Sequence, residues 1–133
     1  MRKEVYPIVM KFDIIVNPAG AGGKTSAFWS QWESGFSSVE YEVHYSSKEH
    51  GIKEITQELT RQDRNDNLVI VGGDGSMNEA VNGIVDFSHV RLGLLPCGSA
   101  NDLANDIGMQ KDMEQQIKTI LQGKTRRSID VDL

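Results

Sequence analysis

The stretch GGDGS at positions 72–76 places a carboxylate among three glycines. Glycines allow the backbone to turn tightly and to approach a ligand closely. The apolar residues after Ser76 repeat at helical spacing, and the first turn of a helix favours an anionic group such as phosphate. A β-hairpin turn at Asp74 conflicts with that spacing, whereas a role for Asp74 as a helix N-cap is compatible with ligand binding. The stretch therefore predicts a phosphate site around Asp74.

A second loop of this kind is GSAND at positions 98–102. Gly98 frees the backbone, and Ser99 offers a hydroxyl group that could also cap the following helix. Asp102 places a carboxylate in the first turn of that helix. Alone this pattern is weak, because Ser-x-x-Asp resembles an ordinary capping box. Together with GGDGS it becomes a strong indication of a ligand site.

A third loop, NPAGAGGKTS at positions 17–26, follows an apolar run and precedes a helical pattern. Residues 23–25 fit the second half of the phosphate-binding P-loop pattern, but Pro18 stands where that pattern requires its first glycine. The dinucleotide-binding pattern G-x-G-x-x-G would start at Gly20, and it fails because its last position is Thr25. We predict that this loop faces a phosphate without belonging to either class.

Strand and helix patterns alternate along the chain. Apolar runs predict strands at 12–16, 41–45, 68–71, 90–95 and from 127 onward. Helical spacing predicts helices bounded by Phe28 and Phe36, Ile52 and Leu59, Met77 and Ile84, Leu103 and Ile107, and Met113 and Leu121. This alternation predicts an α/β fold of three layers, with a mainly parallel sheet between two layers of helices.

The positions of the unusual loops predict where a ligand binds. In a parallel sheet, the loops that follow the strands all lie at the carboxyl edge, where open α/β sheets bind their ligands. The three glycine-rich loops follow strands, as does the loop SSKEHG at 46–51. The connections at the opposite edge are ordinary polar turns. We therefore expect one ligand site at the carboxyl edge of the sheet.

Composition limits the classes of function. The chain has 133 residues, 38% of them hydrophobic, which suits one domain with a buried core. Its net charge of −5 argues against general nucleic-acid binding, and no apolar run approaches the roughly 18 residues of a membrane span. The single cysteine, Cys97, fits a reducing compartment and a structural role. No histidine has a metal-ligand partner at a useful spacing, so we assign none to a metal.

The motifs NPAGAGGK, VGGDGSMNEAVNGI, LPCGSANDLA and SIDV together resemble the catalytic domain of the diacylglycerol kinase family. That family includes sphingosine and ceramide kinases and bacterial lipid kinases. The resemblance extends from about position 11 to position 132, in the correct order and spacing. Residues 78–83 match the family's N-E-x-x-N-G extension. Ser76 and Ser99 stand where threonine is usual, and both keep the hydroxyl group.

The resemblance implies a fold like the nucleotide-binding lobe of phosphofructokinase and NAD kinase, with ATP at the carboxyl edge of the sheet. It implies phosphate contacts from Asn17, Gly22, Lys24 and Ser99. It implies further nucleotide contacts from Gly72, Gly73, Asp74, Gly75, Ser76 and Asn78. Either Ser46 or Ser47 stands where the family places a hydroxyl group near adenine, and the sequence does not choose between them.

The resemblance also implies the metal and the reaction. Asp74, the expected catalytic residue, would organise Mg²⁺ through water molecules together with Asp102 and Asp130. The implied activity is ATP-dependent phosphorylation of a lipid hydroxyl, such as that of diacylglycerol. A soluble NAD kinase-like enzyme and a non-catalytic nucleotide-binding module are the alternatives. The sequence LP before GSAND favours the lipid branch.

Members of the family carry a second, mostly β lobe that binds the lipid, and these 133 residues contain no such segment. We therefore expect residues 1–133 to be a single nucleotide-binding lobe, truncated from a longer protein. Alone, this lobe is expected to show no appreciable lipid kinase activity. We expect the full-length protein in the cytoplasm, peripherally bound to the inner face of the membrane, and leave open whether it forms a homodimer.

Overall fold

The computed structural model describes residues 11–61, 66–97 and 107–122. In this part of the chain one parallel sheet contains β1 (Lys11–Val16), β2 (Glu40–Tyr45), β3 (Asp66–Gly72) and β4 (Val90–Pro96), in the order β2-β1-β3-β4. The helices are α1 (Lys24–Trp32), α2 (Ile52–Thr60), α3 (Asp74–Gly83) and α4 (Ile107–Leu121). The predicted parallel α/β fold is confirmed.

Strands β1 and β3 form the centre of the sheet, and helices cover both faces. In β1, Phe12 and Ile14 face one layer while Ile15 faces the other, and all three are at most 2% exposed. This explains why both strands are apolar almost throughout, as expected for strands buried on both sides. The edge strand β2 alternates instead, with exposed or half-buried polar residues on one face.

A hydrophobic core lies on each side of the sheet. On the first side α1 and α4 supply Trp29, Met113 and Ile117, and the rings of Trp29 and Phe36 pack with centroids 5.8 Å apart. On the second side α2 and α3 supply Ile52, Ile55, Ala80 and Val81. The two cores hold the helices against the sheet.

Helices α2 and α3 approach each other closely at Gly83, the last residue of the N-E-x-x-N-G extension. A Cβ atom at this position would overlap the carbonyl oxygen of Lys53 and lie 3.1 Å from Thr56 Cβ. Glycine is therefore needed for packing at this position, independently of any ligand.

Two helices differ from their predicted extents. Helix α1 ends at Trp32, and a 3₁₀ turn at Glu33–Phe36 brings Phe36 into the core. The turn contains Gly35, a poor helix former, which packs directly against Ile117 of α4. Ile107, predicted in a separate short helix with Leu103, instead begins α4. Leu103 and the predicted fifth strand lie outside the described residues.

Helix α4 has 15 residues, fewer than the roughly 20 that a transmembrane helix needs. Across the described segments of the chain, no helix meets the requirements of length and hydrophobicity for a membrane span.

Candidate functional site

The four described strands end at the same edge of the sheet. Val16, the last residue of β1, is in register with Tyr45 of β2 and Val71 of β3. Gly72 of β3 is in register with Pro96 of β4. The loops that begin at positions 17, 46 and 73 therefore emerge side by side, as predicted. The loop at 98–102 follows the same edge in sequence but lies outside the described residues.

The loop between β1 and α1 has an unusual backbone. Ala21, Gly22 and Gly23 have φ angles of 53°, 68° and 91°, all in the left-handed region. Glycine adopts such angles readily, whereas for Ala21 they cost about 1–2 kcal/mol. Helix α1 begins directly afterwards at Lys24, which is exposed. The loop thus presents glycine main chain and a lysine at the carboxyl edge.

Three hydrogen bonds order this loop and the strand ends beside it. Gly20 N–H donates to the Asn17 carbonyl oxygen at 2.9 Å and closes the loop. Buried Thr25 shares a hydrogen bond with Cys97, with 3.5 Å between Oγ1 and Sγ. Cys97 N–H in turn donates to the Gly72 carbonyl oxygen at 2.9 Å. Cys97 therefore contacts the end of β3 through its main-chain N–H and the start of α1 through its buried thiol, in agreement with the predicted structural role.

The turn at positions 72–76 leads from β3 directly into α3. Gly73 occupies the N-cap position in an extended conformation, and Asp74 is the first helical residue. The alternative in which Asp74 only caps the helix is therefore wrong, and so is a hairpin turn. The side chain of Asp74 is exposed at the carboxyl edge. A carboxylate at the first helical position is also stabilised by the helix dipole.

The three glycines of this turn have different structural roles. A Cβ atom at Gly72 would lie 2.6 Å from Ser76 Oγ, so packing requires glycine there. At Gly73 and Gly75, such a Cβ atom would have no atom of the described residues within 4 Å. Packing therefore does not explain these two glycines. Close approach of a ligand to the main chain of the first turn of α3 would explain both.

Ser46 and Ser47 differ in their surroundings. Ser46 continues the strand pairing, since its N–H donates to the Val16 carbonyl oxygen at 2.9 Å, and it is only 9% exposed. Ser47 is exposed and begins a turn in which its Oγ accepts a hydrogen bond from His50 N–H at 3.1 Å. A hydroxyl group that accepts one hydrogen bond retains its proton for donation. Ser47 is therefore the better placed of the two to donate to a ligand.

The remaining predicted residues divide into two groups. Asn78 lies on α3, one turn after Asp74, and is exposed. Ser99, Asp102 and Asp130 lie outside the described residues, so their roles stay predictions. Within the described segments, the site therefore combines the loop at 17–24, the turn at 72–76 and the loop at 46–51.

A second polar cluster was missed by sequence reasoning. Asp13 of β1 and His44 of β2 are 2.9 Å apart between Oδ1 and Nε2, and Glu42 lies beside them. Lys11 Nζ contacts Glu42 Oε1 at 3.0 Å, and this hydrogen bond raises the pKa of Lys11 above its ordinary value. The expectation that no histidine has a metal-ligand partner considered spacing along the chain. The partners of His44 instead come from strand pairing, and the strand register would have revealed them.

Comparison with known proteins identifies the family. The sequence model for the diacylglycerol kinase catalytic domain matches residues 11–131. A diacylglycerol kinase of Staphylococcus epidermidis is 31% identical over 126 residues, which cover 94% of this chain and 34% of that protein. A diacylglycerol kinase of Staphylococcus carnosus is 29% identical over 90 residues, or 67% of this chain and 28% of that protein. The chain thus spans about a third of the length of these relatives.

The fold is similar to that of a crystallised diacylglycerol kinase from Bacillus anthracis strain Sterne, with a TM-score of 0.56. The match covers 86% of this chain and 42% of that one at 19% identity, so it bears on the fold alone. The family match includes all three glycine-rich loops, two of which the structure brings to one edge of the sheet. The chain therefore belongs to the diacylglycerol kinase catalytic domain family.

Proposed function

We propose that this chain is the ATP-binding lobe of a lipid kinase that phosphorylates a hydroxyl group such as that of diacylglycerol. The observation that carries the proposal is the turn at 72–76. Among the described residues, no atom lies within 4 Å of a Cβ atom placed at Gly73 or Gly75 at the start of α3, so packing in this part of the chain does not require these glycines. These positions lie at the carboxyl edge of the sheet, beside the loop that ends at Lys24.

The phosphates of ATP would lie between the two glycine-rich loops. Main-chain N–H groups at the start of α3 point towards this space and favour negative charge. Gly22 would contact the phosphates from the other loop. Its φ of 68° is one that glycine adopts without strain, and the absence of a side chain lets the main chain approach a ligand closely. Lys24 would add a positive charge, and Asn17 an amide at the end of β1. Ser76 and Asn78 would complete the contacts along α3, and Ser99 those from the loop after β4.

At the other end of the nucleotide, we assign the adenine contact to Ser47 rather than Ser46. The hydroxyl group of Ser47 is exposed and keeps a proton to donate after accepting the His50 N–H. The two serines are adjacent, but the main-chain hydrogen bond of Ser46 to Val16 keeps Ser46 in the strand pairing, where it is buried.

The acidic residues of this edge suit Mg²⁺, which prefers oxygen ligands and keeps much of its hydration. The exposed carboxylate of Asp74 fits contact through water, and Asp102 and Asp130 would complete the set. When bound, Mg²⁺ would neutralise part of the charge on the phosphates. Asp74 would thereby position the γ-phosphate for attack by the lipid hydroxyl group.

The lipid acceptor would be bound by a second lobe in a longer protein, since phosphoryl transfer needs both reactants to be positioned together. This lobe alone would then bind ATP and transfer phosphate to lipid at a negligible rate. Because the acceptor resides in a bilayer, the full-length protein would act at the inner surface of the membrane from the cytoplasmic side.

The first experiment measures ATP binding to the 133-residue chain by calorimetry, with and without Mg²⁺. We expect binding that strengthens with Mg²⁺ and loses that dependence in Asp74→Ala. Glu40→Ala is the matched control, because Glu40 is an exposed carboxylate at the first residue of β2, at the opposite edge of the sheet. If ATP does not bind, or binds equally well in Asp74→Ala with the same Mg²⁺ dependence, the proposal is wrong.

The second experiment uses a longer protein that carries these residues and supplies diacylglycerol, sphingosine or NAD as acceptor. Phosphorylation of a lipid supports the proposal, whereas phosphorylation of NAD alone would favour a soluble kinase. ATP binding without transfer to any of them would favour a non-catalytic nucleotide-binding module.

A further inference from the structure

Three metal-ligating side chains lie on one face of the sheet, away from the carboxyl edge. Asp13 of β1 is the register partner of Glu42 of β2, and His44 follows Glu42 by two residues. Register partners and residues two apart in a strand point to the same face of a sheet. Their Cβ atoms are then separated by about 5 Å across the strands and about 7 Å along the strand. This triangle is small enough for three side chains to meet at one point.

The side chains do meet. One ligand atom from each of Asp13, Glu42 and His44 lies within 4.8 Å of the others. Among the described residues, this is the one group of three or more such side chains that is close enough to share an ion. The side chain of Asp13 is 5% exposed and that of His44 is 20% exposed, so two of the three ligands are held by packing. Glu42 is 56% exposed, and its ion pair in the structure is with Lys11, whose side chain is also exposed.

We propose that Asp13, Glu42 and His44 bind one Zn²⁺ ion that joins β1 to the edge strand β2. Zinc accepts imidazole nitrogen and carboxylate oxygen together, whereas Mg²⁺ and Ca²⁺ prefer sites of oxygen alone. Bonds of about 2.0–2.2 Å place the ligand atoms of tetrahedral zinc about 3.3 Å apart. The present 2.9 Å between His44 Nε2 and Asp13 Oδ1 needs to lengthen by only about 0.4 Å.

Two existing contacts must be reconciled with such an ion. Lys11 Nζ lies 3.0 Å from Glu42 Oε1, but both side chains are well exposed, and pairs of this kind contribute little. Asp13 has a further polar or electrostatic contact, which its carboxylate can share because two oxygens accept several bonds. Among Asp13, Glu42, His44 and Lys11, two carboxylates face one lysine, which favours a divalent cation.

This site is distinct from the proposed Mg²⁺ site. Asp13 lies three residues before the end of β1, which corresponds to about 10 Å from the carboxyl edge. A zinc ion here would not contact nucleotide. It would instead tie the edge strand to the centre of the sheet, and binding to the folded state alone would stabilise that state.

The test titrates Zn²⁺ into the metal-free 133-residue chain by calorimetry and follows the thermal unfolding midpoint. We expect one ion per chain and a rise in the midpoint. His44→Gln and Glu42→Gln should each weaken binding roughly tenfold or more. His50→Gln is the matched control, since His50 also contacts a carboxylate, with 3.1 Å between its Nε2 and Glu58 Oε1. That variant should bind Zn²⁺ like the parent chain.

The variant Lys11→Met distinguishes a metal-binding site from a cluster that only forms ion pairs. Removing the lysine releases Glu42, so Zn²⁺ should bind more tightly while the apo protein becomes no more stable. Co²⁺ held by the three side chains and one water molecule should give the strong visible absorption of a four-coordinate site in the parent chain and lose it in Glu42→Gln. Circular dichroism checks that each variant folds, and if His44→Gln unfolds, the exposed Glu42 variant decides. The proposal is overturned if the parent chain does not bind Zn²⁺, or if Glu42→Gln binds Zn²⁺ as tightly as the parent chain does. It is also overturned if the parent chain binds Mg²⁺ as tightly as Zn²⁺.

Discussion

Replacing Gly83 with alanine would put a methyl group between helices α2 and α3. The new Cβ atom would overlap the Lys53 carbonyl oxygen and lie 3.1 Å from Thr56 Cβ. Neither neighbour can swing aside, because the first is main chain and the second belongs to a fully buried β-branched residue. The two helices would have to separate by on the order of 1 Å to restore normal contact distances.

That separation acts on the core beneath the helices, where Ile52, Ile55 and Val81 pack on the sheet. Overpacking costs about 1–3 kcal/mol, and a clash with main chain belongs at the upper end of that range. The better helix propensity of alanine offsets up to about 1 kcal/mol, and less at Gly83 because it ends the helix. We expect a net loss of about 2 kcal/mol in the free energy of unfolding. For a domain of this size, the unfolding midpoint would fall by roughly 8 °C.

The measurement is urea and thermal unfolding of the 133-residue chain followed by circular dichroism. Gly75→Ala is the control, because it makes the same change in the same helix with no described atom within 4 Å of the new Cβ. It should leave stability unchanged or raise it by up to about 1 kcal/mol. An unchanged midpoint for Gly83→Ala would refute the close contact between α2 and α3. ATP binding should show the opposite pattern, weakened in Gly75→Ala and retained by folded Gly83→Ala.

The other predictions concern the carboxyl edge. Lys24→Ala should weaken ATP binding about fivefold or less, because the lysine is exposed and screened by solvent. Asp74→Ala in a longer, active protein should reduce phosphoryl transfer about a hundredfold or more, measured by transfer of radioactive phosphate to lipid. Ser47→Ala should weaken ATP binding about fivefold, the effect of one hydrogen bond, and should leave binding of inorganic tripolyphosphate unchanged. Ser46→Ala should change neither.

Each of these has an outcome that would count against it. A severe loss of ATP binding in Lys24→Ala, together with unaffected activity in Asp74→Ala, would restore the P-loop interpretation of the loop at 17–26. Equal loss of ATP and tripolyphosphate binding in Ser47→Ala would show that the serine shapes the turn at His50 and has no contact with adenine.

The fold could be predicted because its signals are local. The apolar runs of β1 and β3, and the helical repeats between them, can be recognised in the sequence without knowledge of tertiary contacts. The predicted end of α1 was wrong because Phe36 has the right spacing for the helix face. Its ring reaches the same core from a 3₁₀ turn instead. The spacing of apolar residues indicates which residues are buried, but it does not distinguish an α-helix from a 3₁₀ turn as the backbone conformation that buries them.

The site was predictable to the extent that its chemistry lies in contiguous loops. Asp74 and its flanking glycines could be singled out from one stretch of sequence. The structure adds that Gly72 serves packing, whereas Gly73 and Gly75 do not. The group of Asp13, Glu42 and His44 was out of reach, because it depends on the register between two strands about thirty residues apart. Register follows from the whole sheet and not from either strand alone.

Cys97 is the single cysteine of the chain, and its chemical labelling can report motions at the carboxyl edge. Cys97 is 7% exposed, and its thiol shares a hydrogen bond with Thr25, which follows the glycine-rich loop between β1 and α1. Because Cys97 is buried, a thiol reagent reaches it through local opening of the surrounding structure, and the labelling rate reports that opening. A ligand that binds across the glycine-rich loops would slow this labelling. The rate of this single modification would thus measure how often the carboxyl edge opens, without any other label in the protein.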